Sequence, residues 1–126
     1  MHQIFLRKPW SLLIDRAEHA VVVDVPDNQE RSVLCRTMVY SRRFNATSAV
    51  MSASASLVVS DWHGELISIE VNGVPLQFTS EGQRGTTVDL DGVLSMHNHL
   101  RITLEGSVED SPRLTGSVSL KVRDPS

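Results

Sequence analysis

Ile67-Ser68-Ile69-Glu70-Val71-Asn72-Gly73-Val74-Pro75-Leu76 is the stretch whose reading decides the fold. Apolar and polar residues alternate up to Asn72, with Ile67, Ile69 and Val71 on one side and Ser68, Glu70 and Asn72 on the other. A period of two belongs to a half-buried strand, since successive side chains leave opposite faces. Asn-Gly is the pair that a two-residue type I′ turn selects, because both central positions need φ > 0. Pro75 has no N–H to give to a ladder, so the returning segment is expected at a sheet edge or in a departing loop.

The same period extends upstream. Met51, Ala53, Ala55, Leu57 and Val59 form one row, and Ser52, Ser54, Ser56, Val58 and Ser60 the other. This reads as a strand with a serine-rich wet face. An alanine- and serine-rich helix is the competing reading, disfavoured by the serines and by the lack of an i, i+3, i+4 stripe. Asp61-Trp62-His63-Gly64 is the intervening turn. Downstream, Ser80 to Gly85 reads as a polar loop, Thr86 to Leu90 as a short strand and Asp91-Gly92 as a turn. Leu100, Ile102 and Leu104 then alternate with His99, Arg101, Thr103 and Glu105. The last strand is expected to bury Leu114, Gly116, Val118, Leu120 and Val122 and to wet Thr115, Ser117, Ser119, Lys121 and Arg123. Ala20 to Val25, ended by Pro26, and Val33 to Tyr40 are further strand candidates. Trp10 to Ile14 fits a strand or a short helical turn. Many short strands separated by Gly, Pro and Asp turns indicate an all-β chain, an antiparallel β-sandwich.

The 126 residues fit a single domain spanning 1–126. Lysine and arginine number 12 against 15 aspartate and glutamate, a net charge of −3, with the signs interspersed. That pattern carries no footprint for nucleic acid. No run approaches the roughly 20 apolar residues of a membrane helix. The N-terminal segment has three consecutive apolar residues followed by Arg7 and Lys8, which is not a signal-peptide layout. The one cysteine, Cys35, cannot pair within the chain, and its apolar surroundings read as a small core residue. A cytoplasmic location is therefore expected, with the Asn45-Ala46-Thr47 sequon accidental.

The segment from Tyr40 to about Leu104 resembles the galactose-binding-like jelly-roll domains that accompany glycoside hydrolases, notably the sugar-binding domain of the β-galactosidase and β-glucuronidase family. Four motifs carry the resemblance: Arg43-Phe44, Ile69 to Gly73, Val88 to Leu94, and Asn98 to Ile102. It implies a jelly-roll sandwich and a carbohydrate-related role. It implies no reaction, because the catalytic carboxylates of those enzymes sit on a separate barrel domain. The chain has six Phe, Tyr and Trp residues where the family usually presents aromatics at its ligand edge.

Among chemistry-bearing residues, His97-Asn98-His99 stands out. On a strand, both imidazoles share a face about 7 Å apart. With His63 as a third ligand they could hold a metal ion; otherwise they occupy a wet sheet face. Trp62, between Asp61 and His63, could stack on a sugar ring or fold back as a cap on the core. Asp89 and Asp91 fit a calcium or acid–base pair, or an ordered turn. No Gly-X-Ser-X-Gly elbow or phosphate loop is present.

The resulting expectation is a non-catalytic binding module without a cofactor, possible partners being a glycan or a protein. Its candidate ligand-binding residues are Trp62, His63, His97, His99 and Arg101. The alternatives are a structural or assembly domain that meets another protein, and a metal-dependent enzyme using His63, His97 and His99.

Overall fold

The computed structural model describes residues 2–15, 19–27, 37–52, 54–78, 85–106 and 112–123. Among these described residues, ten strands form two antiparallel sheets. They are β1 (His2–Phe5), β2 (Trp10–Ile14), β3 (Val21–Val23), β4 (Thr37–Asn45), β5 (Ser54–Val59), β6 (Glu65–Val71), β7 (Val74–Leu76), β8 (Thr86–Asp89), β9 (His97–Glu105) and β10 (Val118–Arg123). One sheet has the order β1-β10-β5-β8 and the other β3-β2-β4-β9-β6-β7. The chain is an antiparallel β-sandwich of jelly-roll type.

The core lies between the sheets and follows the strand alternation. On β9, Leu100, Ile102 and Leu104 point inward, facing Tyr40 and Met38 of β4 and Ile69 and Leu66 of β6. Leu57, Val59, Val88, Val118 and Leu120 come from the opposite sheet. β4 and β9 pair over nine residues each, from Thr37 opposite Glu105 to Asn45 opposite His97. This long central ladder makes the outward face of β9 a firm platform. The polar atoms of the two largest buried aromatics are paired, as interior polar groups generally are. The Trp10 indole N–H donates to the Leu6 carbonyl at 2.8 Å, and the Tyr40 hydroxyl donates to Asp27 Oδ2 at 2.6 Å.

The deciding hairpin forms as read. Asn72 and Gly73 have φ of 56° and 80° between the facing pair Val71 and Val74. Pro75 lies on β7, the edge strand. Trp10 to Ile14 is a strand, which resolves the open alternative.

Four local expectations need correction. Ile67 does not join Ile69 on the core face. A register shift between Leu66 and Ser68 makes it the extra residue of a bulge, 41% exposed, and Leu66 is buried instead. The strand expected from Met51 begins at Ser54. Before it, Ser48–Ser52 is a short helix, α1, started by Thr47, whose hydroxyl accepts the Val50 N–H at 3.2 Å. Leu114 and Gly116 precede β10 rather than belonging to it. Ser119 is buried, not wet, and its hydroxyl accepts from the Gln3 amide at 3.0 Å. The expectations for Cys35 and for Ser80 to Arg84 of the polar loop fall outside the described residues.

The bulge gives a stability contrast. Ile67→Thr should change unfolding free energy by less than about 0.5 kcal/mol, as exposed substitutions do. Ile69→Thr, at a fully buried site, should cost roughly 2–3 kcal/mol from lost apolar burial and an enclosed hydroxyl. Urea unfolding of both variants checks this, and equal losses would remove the bulge.

Candidate functional site

The outward face of the six-stranded sheet gathers polar groups at one end. There the β6–β7 hairpin, the β8–β9 loop and the start of β9 are tied by two asparagines. Asn98 lies in the core row of β9 and is 3% exposed. Its Oδ1 accepts the Ser95 backbone N–H at 2.8 Å and the Asn72 amide at 3.0 Å. Its Nδ2 donates to the Ser95 carbonyl at 2.8 Å and to the Phe44 carbonyl at 3.4 Å. Asn72 in turn donates to the Val93 carbonyl at 3.1 Å and accepts the His99 backbone N–H at 2.9 Å. Both amides are thereby fixed, and so is the backbone that carries His97 and His99.

Above this network is an open cleft of about 300 Å³, lined by Arg43, Asn45, Asn72, His97, Asn98 and His99. The strand register explains the grouping. Asn45 faces His97 and Arg43 faces His99 across β4 and β9, on strands about 4.8 Å apart. His97 Nδ1 is 3.0 Å from Asn45 Oδ1. That bond orients the ring with Nδ1 protonated and leaves Nε2 open to the cleft. Arg42 and Arg43 diverge, as neighbours on a strand must. Arg42 is on the core side, donates to the Lys8 carbonyl at 3.1 Å, and its pKa is lowered by burial. Arg43 is exposed on the cleft side.

The residues singled out in the sequence divide into two groups. His97 and His99 are both exposed and share the cleft. Arg101 continues their outward row, between Ser41 and Glu70, but does not line the cleft. Trp62 and His63 lie elsewhere. His63 bridges Arg113, and β6 begins two residues later at Glu65, opposite Glu105. His97 is eight residues up β9 from that point, roughly 26 Å at the strand rise. The proposed trio His63, His97 and His99 therefore does not converge, and among the described residues no group of three or more His, Cys, Asp or Glu is placed to hold a metal ion. Trp62 is half-buried and packs against the core. Asp89 and Asp91 order their turn. Asp89 Oδ1 accepts the Asp91 N–H at 2.9 Å, and Asp91 Oδ1 accepts the Ala55 N–H at 3.3 Å.

Sequence reasoning did not pick Arg43, Asn45 or Asn72 as site residues. Nor did it pick Asn98, although a signal for it exists: Asn98 keeps phase with Leu100, Ile102 and Leu104, so an amide there has to be buried and bonded. Arg43 and Asn45 needed the β4–β9 register, which sequence does not print. No helix among the described residues is long and apolar enough to cross a membrane.

No protein-family model matches the chain, and no curated protein matches it in sequence. Solved structures do match. A β-D-mannosidase from Dictyoglomus thermophilum superposes with a TM-score of 0.78 at 13% identity, over 98% of this chain and 23% of that one. A β-glucuronidase from Lactobacillus rhamnosus gives 0.76 at 15% identity, over 96% and 28%. One from Bacteroides uniformis gives 0.77 at 14% identity, over 96% and 18%. The chain thus spans less than a third of these enzymes' length. At such identities the likeness speaks for architecture, and on that footing the chain has the β-sandwich fold found within β-mannosidase and β-glucuronidase chains.

Proposed function

We propose that this chain is a non-catalytic module that binds a carbohydrate in the cleft between Arg43, Asn45, His97 and His99. The observation that carries the reading is the cleft itself. Amide, imidazole and guanidinium groups converge on an opening of about 300 Å³ held by two long paired strands. Such groups match a hydroxyl-bearing ligand, which offers and accepts hydrogen bonds in many directions. The lining residues present no pair of carboxylates, the arrangement that glycoside hydrolysis uses. The shared fold with glycosidases supports a carbohydrate context for the binding. A single cysteine among 126 residues fits work in a reducing cytoplasm.

Amide NMR spectra recorded with a panel of neutral and charged sugars test the reading. The expected result is saturable shifts at Asn45, His97 and His99 and none at Trp62. The double variant His97→Ala, His99→Ala should weaken binding about tenfold, the equivalent of one or two lost hydrogen bonds. Its melting temperature should stay within about 2 °C, since both rings are exposed. A panel that moves no cleft resonance would end the carbohydrate reading.

A further inference from the structure

The cleft's charge is one-sided. Its lining contains one guanidinium, Arg43, and two imidazoles, His97 and His99; the other three members are amides. Arg101 continues the row next along β9. Among the described residues, the guanidinium groups of Arg43 and Arg101 have no ion-pair or hydrogen-bond partner, and neither does the His99 ring. The groups facing these imidazoles can be followed element by element. β4 supplies Arg43 and Asn45; β6 and its turn supply Glu70 and Asn72; the β8–β9 loop supplies Ser95; β9 itself supplies Arg101. Glu70 is the one acid in the set, and it lies opposite Arg101 rather than in the cleft wall. In a chain with a net charge of −3, a local excess of cationic donors is a departure from the average surface.

We infer that the cleft selects a saccharide bearing a tetrahedral oxyanion, a phosphate or sulfate ester. The inference rests on the carbohydrate reading above and adds the charge of the ligand. An arginine offers paired parallel N–H donors to such a group. Two imidazoles about 7 Å apart along the strand can meet its remaining oxygens, and Asn45 and Asn72 are left for ring hydroxyls. His97 Nδ1 is taken up by Asn45, so that ring has Nε2 to offer a ligand.

Titrations of the full chain with glucose 6-phosphate, glucose 6-sulfate, glucose and inorganic phosphate, followed at the His97, His99 and Asn45 resonances, test this. Both esters should bind at least tenfold tighter than glucose and tighter than inorganic phosphate. Arg43→Gln should abolish the preference over glucose without changing the melting temperature, and Arg43→Lys should restore part of it. The two esters differ in charge, so a larger gain with the phosphate ester identifies a dianion as the preferred source. Glucose binding as tightly as either ester would overturn the inference and leave the carbohydrate reading standing. Inorganic phosphate matching both esters, with glucose inert, would overturn both. Silence from all four probes would do the same.

Discussion

Asn98→Ala unfolds with a loss of roughly 3 kcal/mol and a melting temperature about 10 °C below the parent. The amide is nearly inaccessible and makes four hydrogen bonds, two in and two out. Truncation strands the Ser95 N–H, the Asn72 amide and two carbonyls where water reaches poorly, and unsatisfied groups of this kind cost more than the bonds themselves contribute. The effect should not stay local. Asn72 loses one of its three bonds, so the hairpin and the β8–β9 loop loosen together. Faster amide exchange at Ser95 and His99 should accompany the lower melting temperature. Asn98→Asp is the sharper control, since it keeps shape and acceptors but removes both donors and encloses a charge. A loss below about 1 kcal/mol for either variant would mean that the network contributes little.

Gly116→Ala is expected to be comparably severe. A Cβ at Gly116 would land against the Ser60 hydroxyl and the Asp61 backbone nitrogen. The Gly116 N–H donates to the Asp61 carbonyl at 3.0 Å, and the next residues up are tied by Ser60 N–H to the Ser117 carbonyl at 2.9 Å. The two backbones cannot part without losing those bonds, and both are anchored in the same sheet. Overpacking usually costs about 1–3 kcal/mol, and the backbone contact puts this case at the upper end. Trp62 directly follows Asp61 and leans on the core, so its fluorescence should shift as well. Chemical denaturation followed by tryptophan emission reads both effects. An unchanged spectrum and midpoint would mean that the two segments are not in contact.

The sequence was most legible where local chemistry and global fold agree. Asn72-Gly73 needed no tertiary information, because a type I′ turn selects its residues by φ alone. Pro75 at an edge follows from a missing N–H, and the inward row of β9 from simple alternation. The failures share a different cause. The bulge at Ile67 exists because β6 must keep step with β9, and a register mismatch belongs to the pair, not to either strand. Ser119 looks wet beside Lys121 until β1 is laid against β10 and brings Gln3 over it. The helical turn before β5 has a readable start in Thr47, which the alternation of alanine and serine masks. The site fared likewise. His97 and His99 were visible as a pair, while Arg43 and Asn45 become their neighbours only through a ladder formed between residues some fifty positions apart. Trp62 is one of few aromatics in the chain, yet its place on the core reflects what large rings do most often.

The pairing of β1 with β10 sets His2 beside Val122. The two ends of the fold therefore stand on neighbouring strands, about 5 Å apart, with the chain entering and leaving at one corner. Topologically the sandwich is close to a ring. A short linker could join its ends, and new termini could be opened at the exposed Gly92 turn, where an added Cβ would meet nothing within 4 Å. Such a circular permutant keeps every strand neighbour. For the same reason the whole sandwich could be spliced into a surface loop of a host protein without prising that loop apart, as a bead is threaded rather than a rod inserted.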